Sequence, residues 1–178
     1  MEKNTNLSIR FSVFASQTIA FETGGDKSGG YTDDPKDAGG ETKWGISKKA
    51  HPELNIKALT FPQALHIYET SYWDKDYEAI LSDRICFKLF DMGVLIGPRT
   101  AVKHIQKAIK DCGKLIRVDG NCGPITVAAI NSIEESLLYT KFINRLENHF
   151  RRITLLRPWN RKYLKGWLNR LSFIWKVS

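Results

Sequence analysis

The chain of 178 residues is poor in cysteine and has no long apolar run. Its three cysteines, Cys86, Cys112 and Cys122, are odd in number and form no CxxC pair, which argues against a disulfide framework or a zinc site. Free thiols are the favoured interpretation. A Cys112–Cys122 disulfide is the alternative, if the intervening turn brings the two cysteines together. No segment approaches the roughly 18 apolar residues of a membrane span, so we expect no stable membrane insertion.

Several motifs of other enzyme classes are also missing. There is no HExxH pattern for a zinc peptidase, no GxSxG elbow for a serine hydrolase and no twelve-residue calcium loop. Polar residues interrupt the N-terminal stretch 11–21, which predicts a structural helix rather than a secretory signal. We therefore expect no metal and no cofactor.

Positive charge is what the chain has in excess. The formal net charge is +8, and residues 148–178 hold no acidic side chain, only basic ones interleaved with Trp159, Tyr163, Trp167 and Trp175. Nucleic acid, an acidic membrane and an anionic wall polymer all fit this charge. However, the apolar residues of the last segment recur at helical spacing, which favours a core-facing stripe with a solvated basic face.

The periodicity predicts an all-α (mainly α) fold with few strand signals. Thr60 followed by Gln63 is typical of a capping box that begins a helix. Residues 23–40 are rich in Gly, Asp and Pro and predict a long loop or a small β-hairpin. Besides a short buried segment at 83–92, the expected helices span about 7–22, 47–51, 60–73, 100–112, 126–152 and 159–175.

A candidate catalytic carboxylate stands where the first apolar helix ends. Glu22 comes directly before this loop, which carries further carboxylates. Glycoside hydrolysis needs one carboxylic acid to protonate the leaving oxygen and a second carboxylate to handle water or the positive charge on the sugar. Burial at an apolar helix end would keep the acid protonated. From spacing alone, a surface glutamate followed by turn-forming aspartates is the favoured interpretation.

The residues from Glu22 to Ile46 contain a longer pattern. After Glu22 it reads Gly-Gly-Tyr-x-x-Asp-Pro-x-Asp-x-Gly-Gly-x-Thr-x-x-Gly-Ile, beginning at Gly29. This pattern resembles the signature of glycoside hydrolase family 108, lysozyme-like N-acetylmuramidases that include phage endolysins and a muramidase for toxin release. Phe90-Asp91-Met92-Gly93-Val94, Asp119-Gly120 and Gly166-Trp167-Leu168-Asn169-Arg170 are similar to later parts of that family.

The resemblance implies roles for named residues. Glu22 would be the general acid, Asp37 would position or activate water, and Thr42 would help to hold that water. Substrate contacts would come from four residues of the loop: Tyr31, Asp34, Trp44 and Gly45. Two departures from the family pattern bear on these roles. Six extra residues, 23–28, follow Glu22, so that Asp33, Asp34 or Asp37 could each be the second carboxylate.

An alternative alignment takes Gly24-Gly25 as the motif glycines and places the extra residues after them; Glu22 is the first carboxylate in both. The second departure is the apolar pair Leu95-Ile96, where relatives tend to carry a polar residue, which suggests altered substrate contacts. The resemblance also implies two parts, a lysozyme-like catalytic lobe at 1–95 and a helical peptidoglycan-binding region at 96–178.

The function expected from all this is cleavage of the β-1,4 bond between N-acetylmuramic acid and N-acetylglucosamine. The partner would be peptidoglycan glycan strands, not nucleic acid, and the chain would act as a monomer. Lacking an evident signal, it would be made in the cytoplasm and act in the periplasm, in wall remodelling for toxin release. Two rivals remain: a peptidoglycan-binding protein without activity and a basic nucleic-acid-binding protein.

Overall fold

The computed structural model describes residues 7–33 and 40–175, which fall into two compact units, Met1–Trp73 and Asp74–Ser178. In the described residues the architecture is seven α-helices with one two-stranded sheet. The mainly α fold with a small hairpin is thus confirmed. No helix in the described ranges is long and apolar enough to cross a membrane.

The first unit holds helix α1 (Ile9–Glu22), strands β1 (Thr42–Lys43) and β2 (Ile46–Ser47), and helix α2 (Phe61–Tyr72). Helix α1 begins at the N-cap Ser8, whose hydroxyl accepts from the Phe11 N–H at 3.2 Å. Helix α2 begins with the expected capping box, in which the Gln63 side chain accepts from the Thr60 N–H at 2.9 Å.

Helices α1 and α2 pack through aromatic side chains. Phe11 and Phe14 are buried on α1, and the Trp73 ring lies 5.4 Å and 6.2 Å from theirs, centroid to centroid. The segment between hairpin and α2 adds Ile56 and Leu59 to the core. This packing fixes the C-terminal end of α1, where Glu22 stands, relative to α2.

The second unit is built on helix α3 (Asp83–Ile96), which is buried along most of its length. Around it are α4 (Pro98–Asp111), α5 (Pro124–Asn131), α6 (Glu135–Leu156) and α7 (Arg161–Ser172), with 3₁₀ turns at Lys75–Ala79 and Pro158–Asn160. Helix α4 packs on both α3 and α6, and α6 also packs on α7. The three cysteines are free thiols.

A buried polar cluster joins α3 to α7. The carboxylate of Asp91, which is fully buried, accepts from Nε and Nη2 of Arg170 at 2.8–3.2 Å. The Lys88 ammonium donates to the carbonyls of Arg170 and Leu171 at 3.0 Å and 3.1 Å, and its burial lowers its pKa to about 8. Buried charges of this kind need partners, so this cluster fixes how α7 lies on α3.

Two helix predictions, at 47–51 and at 126–152, were wrong, and the short buried segment expected at 83–92 is longer than predicted. Residues 48–50 form a turn directly after β2, in which the Ser47 carbonyl accepts from the N–H groups of Ala50 and His51. The segment 83–92 is a helix that continues to Ile96. The helix expected at 126–152 is two helices, because Glu134 caps a new one by accepting from the N–H groups of Ser136 and Leu137.

The last helix ends at Ser172 rather than at 175. The core-facing stripe expected on it is confirmed for three of its members. Leu171 is buried, Trp167 stacks on Phe150 at 5.2 Å, and Trp175 lies 4.8 Å from Phe87. Trp159, by contrast, is 68% exposed.

Candidate active site

Glu22 is the last residue of α1, and the chain turns sharply after it. Thr23 ends the helix, its N–H donating to the Ile19 carbonyl at 2.9 Å, and the Gly25 N–H donates to Ala20 at 2.9 Å. Gly24 and Gly25 have φ of 61° and 84°, the left-handed conformation typical of glycines after a helix end. The Glu22 side chain is exposed, so the burial expected at this helix end is wrong.

The hairpin places its tip against Glu22. Strands β1 and β2 pair antiparallel, Thr42 with Ser47 and Lys43 with Ile46, which leaves Trp44 and Gly45 as the two-residue turn. Both have positive φ, 56° and 75°, as a type I′ turn requires. A Cβ built on Gly45 would lie 2.8 Å from the Cβ and 2.9 Å from the Cγ of Glu22. Only glycine permits this approach.

Two tyrosines of α2 complete the surroundings of Glu22, and sequence reasoning missed both. Tyr68 is buried and donates through its hydroxyl to the Trp44 carbonyl at 3.1 Å. Tyr72 is half-buried, and its pKa is raised by burial and then by the negative charge of Glu22. The signal was present in the sequence: residues 68 and 72 are four apart in a helix with a clear capping box, and so share one face.

Trp44 is held from three sides. Its ring lies so close to Gly29 that a Cβ built on Gly29 would be 2.6 Å from the nearest ring atom. The Trp44 Nε1–H donates to the Leu59 carbonyl at 3.1 Å. The Phe61 ring packs edge-on against the Trp44 ring, with 5.1 Å between the centroids. Its backbone N–H donates to the Gly29 carbonyl at 2.7 Å. These contacts give Trp44 a structural role in the hairpin; the expected contact with a sugar ring stays a prediction.

Tyr31 is paired with a carboxylate that the sequence analysis did not single out. Its hydroxyl donates to Oε1 of Glu41 at 2.9 Å, and this bond is the main reason that the Tyr31 pKa is raised. Thr32 and Thr42 exchange backbone hydrogen bonds, each of 2.9 Å, beside the pair. Glu41 therefore helps to orient Tyr31 at the wall of the site.

The other predicted site residues are placed only in part. Asp33 is described and exposed. The Thr42 hydroxyl donates to the Gly40 carbonyl at 3.3 Å. Asp34 and Asp37 lie outside the described residues, so the identity of the second carboxylate stays a prediction. In the described residues no group of three His, Cys, Asp or Glu side chains is placed to hold a metal ion.

An open cavity of about 380 Å³ lies beside this site. Helix α1 lines one side with Ser16, Ile19 and Ala20, and the turn after it contributes Thr23 and residues 25–27; Trp44 and Phe61 line another side. Glu22 is not among the lining residues, because it lies on a different face of the helix. The extra residues after Glu22 thus form part of a second concave surface.

Sequence and structure comparisons identify proteins similar to this chain. Residues 25–97 match the model of the family "Glycosyl hydrolase 108", and residues 100–172 match "Predicted Peptidoglycan domain". The chain is similar to SagA of Brucella abortus, at 26% sequence identity and a TM-score of 0.68 over 90% of each chain. It has no significant match among curated proteins. The first match begins three residues after Glu22, and the boundary predicted at 95/96 stays a prediction.

Proposed function

Because the chain belongs to glycosyl hydrolase family 108 and is a glycoside hydrolase that acts on peptidoglycan, we propose that Glu22 is its catalytic acid. The observation that carries this proposal is the contact between Glu22 and the hairpin tip. A glutamate at the end of a packed helix, held by Gly45 on one side and close to Tyr72 on another, has a restricted set of side-chain positions. Fixed position is what a proton donor in glycoside cleavage requires.

The bond broken is the one between C1 of N-acetylmuramic acid and O4 of N-acetylglucosamine. Glu22 gives its proton to O4 as the C1–O4 bond breaks, and a water molecule adds its hydroxyl to C1. The proton lost by the water goes to a second carboxylate, for which the family pattern supports Asp37, with Thr42 holding the water. We propose inversion at C1, since one carboxylate serves as acid and the other serves as base.

Exposure of Glu22 has a consequence for this mechanism. A general acid has to keep its proton until the leaving oxygen takes it. A glycan strand lying over the hairpin tip would remove water from the carboxyl group, and removal of water favours the uncharged form. The half-buried Tyr72 already covers part of the surroundings of Glu22.

The test compares digestion of purified sacculi by the wild type, Glu22→Gln and a control, Glu53→Gln. Glu53 is a glutamate of the same unit whose side chain is 65% exposed. We expect fragments with reducing N-acetylmuramic acid ends from the wild type and the control, and almost none from Glu22→Gln. Ends on glucosamine or anhydro ends would assign a different bond or reaction.

A peptidoglycan-binding protein without activity is the second candidate, favoured by the match of residues 100–172. It would bind sacculi and release nothing, and Glu22→Gln would not change its behaviour. Steeply salt-dependent DNA binding with no effect on sacculi would instead support the nucleic-acid alternative.

For the cellular role we propose cytoplasmic synthesis, action as a monomer in the periplasm and local wall remodelling that permits toxin release. Support comes from the resemblance of the sequence motif to toxin-release muramidases. In cells that make such a toxin, loss of the protein should keep the toxin in the periplasm, and Glu22→Gln should fail to restore release. Lysis of the cells in place of selective release would contradict this role.

A further inference from the structure

The cavity beside Trp44 is not used by the mechanism above. The α1 residues that line it, Ser16, Ile19 and Ala20, occupy one face of the helix, and Glu22 occupies another. The proposed acid is therefore not part of the cavity lining. Its volume, about 380 Å³, lies within the range of roughly 300–1,000 Å³ typical of small-ligand sites.

The chemistry of the lining is apolar inside and charged at the edge. Ile19, Ala20 and Phe61 offer no hydrogen-bonding side chain. The Ser16 hydroxyl already donates to the Ser12 carbonyl at 2.7 Å and the Trp44 Nε1–H to the Leu59 carbonyl, while Thr23 adds one hydroxyl. A sugar ring, with a hydroxyl on most of its carbons, is poorly matched to such walls because its polar groups would be left without partners.

Two charges of opposite sign stand at the edge, on the segment that follows Glu22. Lys27 is exposed and carries the positive charge. Asp26 accepts from the Ser28 N–H at 2.8 Å and from its hydroxyl at 2.7 Å, and these bonds lower the pKa of the Asp26 carboxyl. Both residues line the cavity and both are exposed, so each charge is open to a ligand bound there.

We propose that this cavity binds the peptide stem carried by N-acetylmuramic acid. The proposal rests on the proposed function, which places that sugar at Glu22. Stem peptides combine alanine methyl groups and the methylene chain of a diamino acid with both a carboxylate and an ammonium group. The apolar walls match the methyl and methylene groups of the stem. Lys27 matches its carboxylate by charge, and Asp26 matches its ammonium group. Glycan would lie along the hairpin tip while the stem turns aside into the cavity.

The main test fills the cavity. Ser16→Leu places a larger side chain in it, and Ser12→Leu is the matched control, because Ser12 is also on α1, its hydroxyl also donates four residues back (2.9 Å), and it does not line the cavity. We expect Ser16→Leu to lower kcat/KM about tenfold on stem-bearing glycan and to leave the rate on amidase-stripped glycan unchanged. Ser12→Leu should keep the wild-type rates on both. Equal loss on both substrates, or no loss on either, would overturn the proposal.

The charge at the edge is tested with Lys27→Gln against Lys49→Gln, an exposed lysine of the same unit outside the cavity. Only Lys27→Gln should weaken the preference for stem-bearing glycan. An equal effect of both substitutions would show a general charge effect and contradict a specific contact.

Direct binding separates this proposal from the proposed function. The tetrapeptide L-Ala–γ-D-Glu–meso-diaminopimelate–D-Ala is added to the Glu22→Gln protein, and the Trp44 indole N–H is followed by NMR. We expect a shift of that signal which Ser16→Leu abolishes. If the wild type cleaves no glycan but the tetrapeptide still moves the Trp44 signal, the proposed function fails and the subsite stands. If cleavage is normal and the signal does not move, the subsite is wrong.

Discussion

The Cα of Gly45 lies against the side chain of Glu22, so closely that a Cβ at position 45 would be 2.8 Å from the Glu22 Cβ and 2.6 Å from the Tyr68 hydroxyl. The hairpin tip and the end of α1 are therefore interlocked at one glycine. This contact explains why Gly45 belongs to the motif: its function is to let a turn approach the proposed acid, whether or not it also contacts substrate.

Gly45→Ala should impair cleavage far more than it impairs folding. Alanine at φ 75° costs about 1–2 kcal/mol of stability, and its methyl group has to displace Glu22 or Tyr68. A displacement of about 1 Å at the reacting groups costs on the order of 100-fold in rate. We expect a loss of that order in the initial rate on sacculi, with a modest fall in Tm.

Gly24→Ala is the control for backbone strain. Gly24 has φ 61°, and a Cβ there would meet nothing within 4 Å. Its Tm should fall about as much as that of Gly45→Ala, while its rate stays near the wild-type value. If the two variants lose activity equally, strain in the chain and not the contact with Glu22 is responsible.

Tyr72→Phe tests the phenol beside Glu22. The Tyr72 pKa is raised by burial and by Glu22, so at neutral pH the hydroxyl is protonated and its O–H dipole can hold the carboxyl group in position. We expect kcat to fall about tenfold or less, with KM and Tm close to wild type.

Tyr68→Phe provides the contrast to Tyr72→Phe. It removes the 3.1 Å bond to the Trp44 carbonyl, which should cost about 1 kcal/mol of stability and show itself in the Tm. An unchanged kcat for Tyr72→Phe would mean that Tyr72 has no part in positioning Glu22.

Local signals were enough to predict much of the fold. Thr60 and Gln63 predicted where α2 begins, and the glycines after Glu22 predicted where α1 ends, because caps and left-handed glycines act within a few residues. The break at Ser132–Glu134 was missed: apolar periodicity continues through it, and the capping by Glu134 becomes evident only from the hydrogen bonds it accepts.

The site was harder to predict, since it depends on contacts between distant residues. Glu22 and Gly45 came from the motif, but nothing local to either indicates that they touch. The Tyr31–Glu41 pair and the stacking of Trp44 on Gly29 likewise require the chain to return on itself through the hairpin. The burial predicted for Glu22 was wrong, because the last turn of an apolar helix can still have one face open to solvent.

Arg170→Met should destabilise the second unit strongly. The substitution would remove the guanidinium that donates from both Nε and Nη2 to the fully buried Asp91 carboxylate. Loss of one member of a buried ion pair costs about 3–5 kcal/mol of folding stability. Urea unfolding measures this. Arg161→Met, an exposed arginine on the same helix, should change the unfolding free energy by less than about 0.5 kcal/mol.

The Asp91→Asn, Arg170→Met double variant also removes the negative charge that has lost Arg170 and should regain part of the lost stability. A double variant less stable than Arg170→Met alone would contradict the view that the cost comes from the buried Asp91 carboxylate that has lost its arginine.

The stability of the second unit should fall with acid through a histidine pair on α4 and α6. The rings of His104 and His149 lie 4.7 Å apart. The His104 pKa is lowered from 6.5 to about 4 by burial, and then by the charges of His149, Lys107 and Arg145. Between pH 6.5 and 4 the unfolded chain binds a proton that the folded chain does not, so folding stability decreases as the pH is lowered through this range.

His104→Phe keeps an aromatic ring but removes this proton site. Because the imidazole is only partly buried, we expect its contribution to be roughly 1–2 kcal/mol between pH 6.5 and 4. Urea unfolding at several pH values should show a shallower loss of stability for His104→Phe than for the wild type. His66→Phe, at a largely exposed histidine on α2, should follow the wild-type curve. Identical curves for all three proteins would mean that the His104 ring takes up its proton as easily in the folded chain as in the unfolded one.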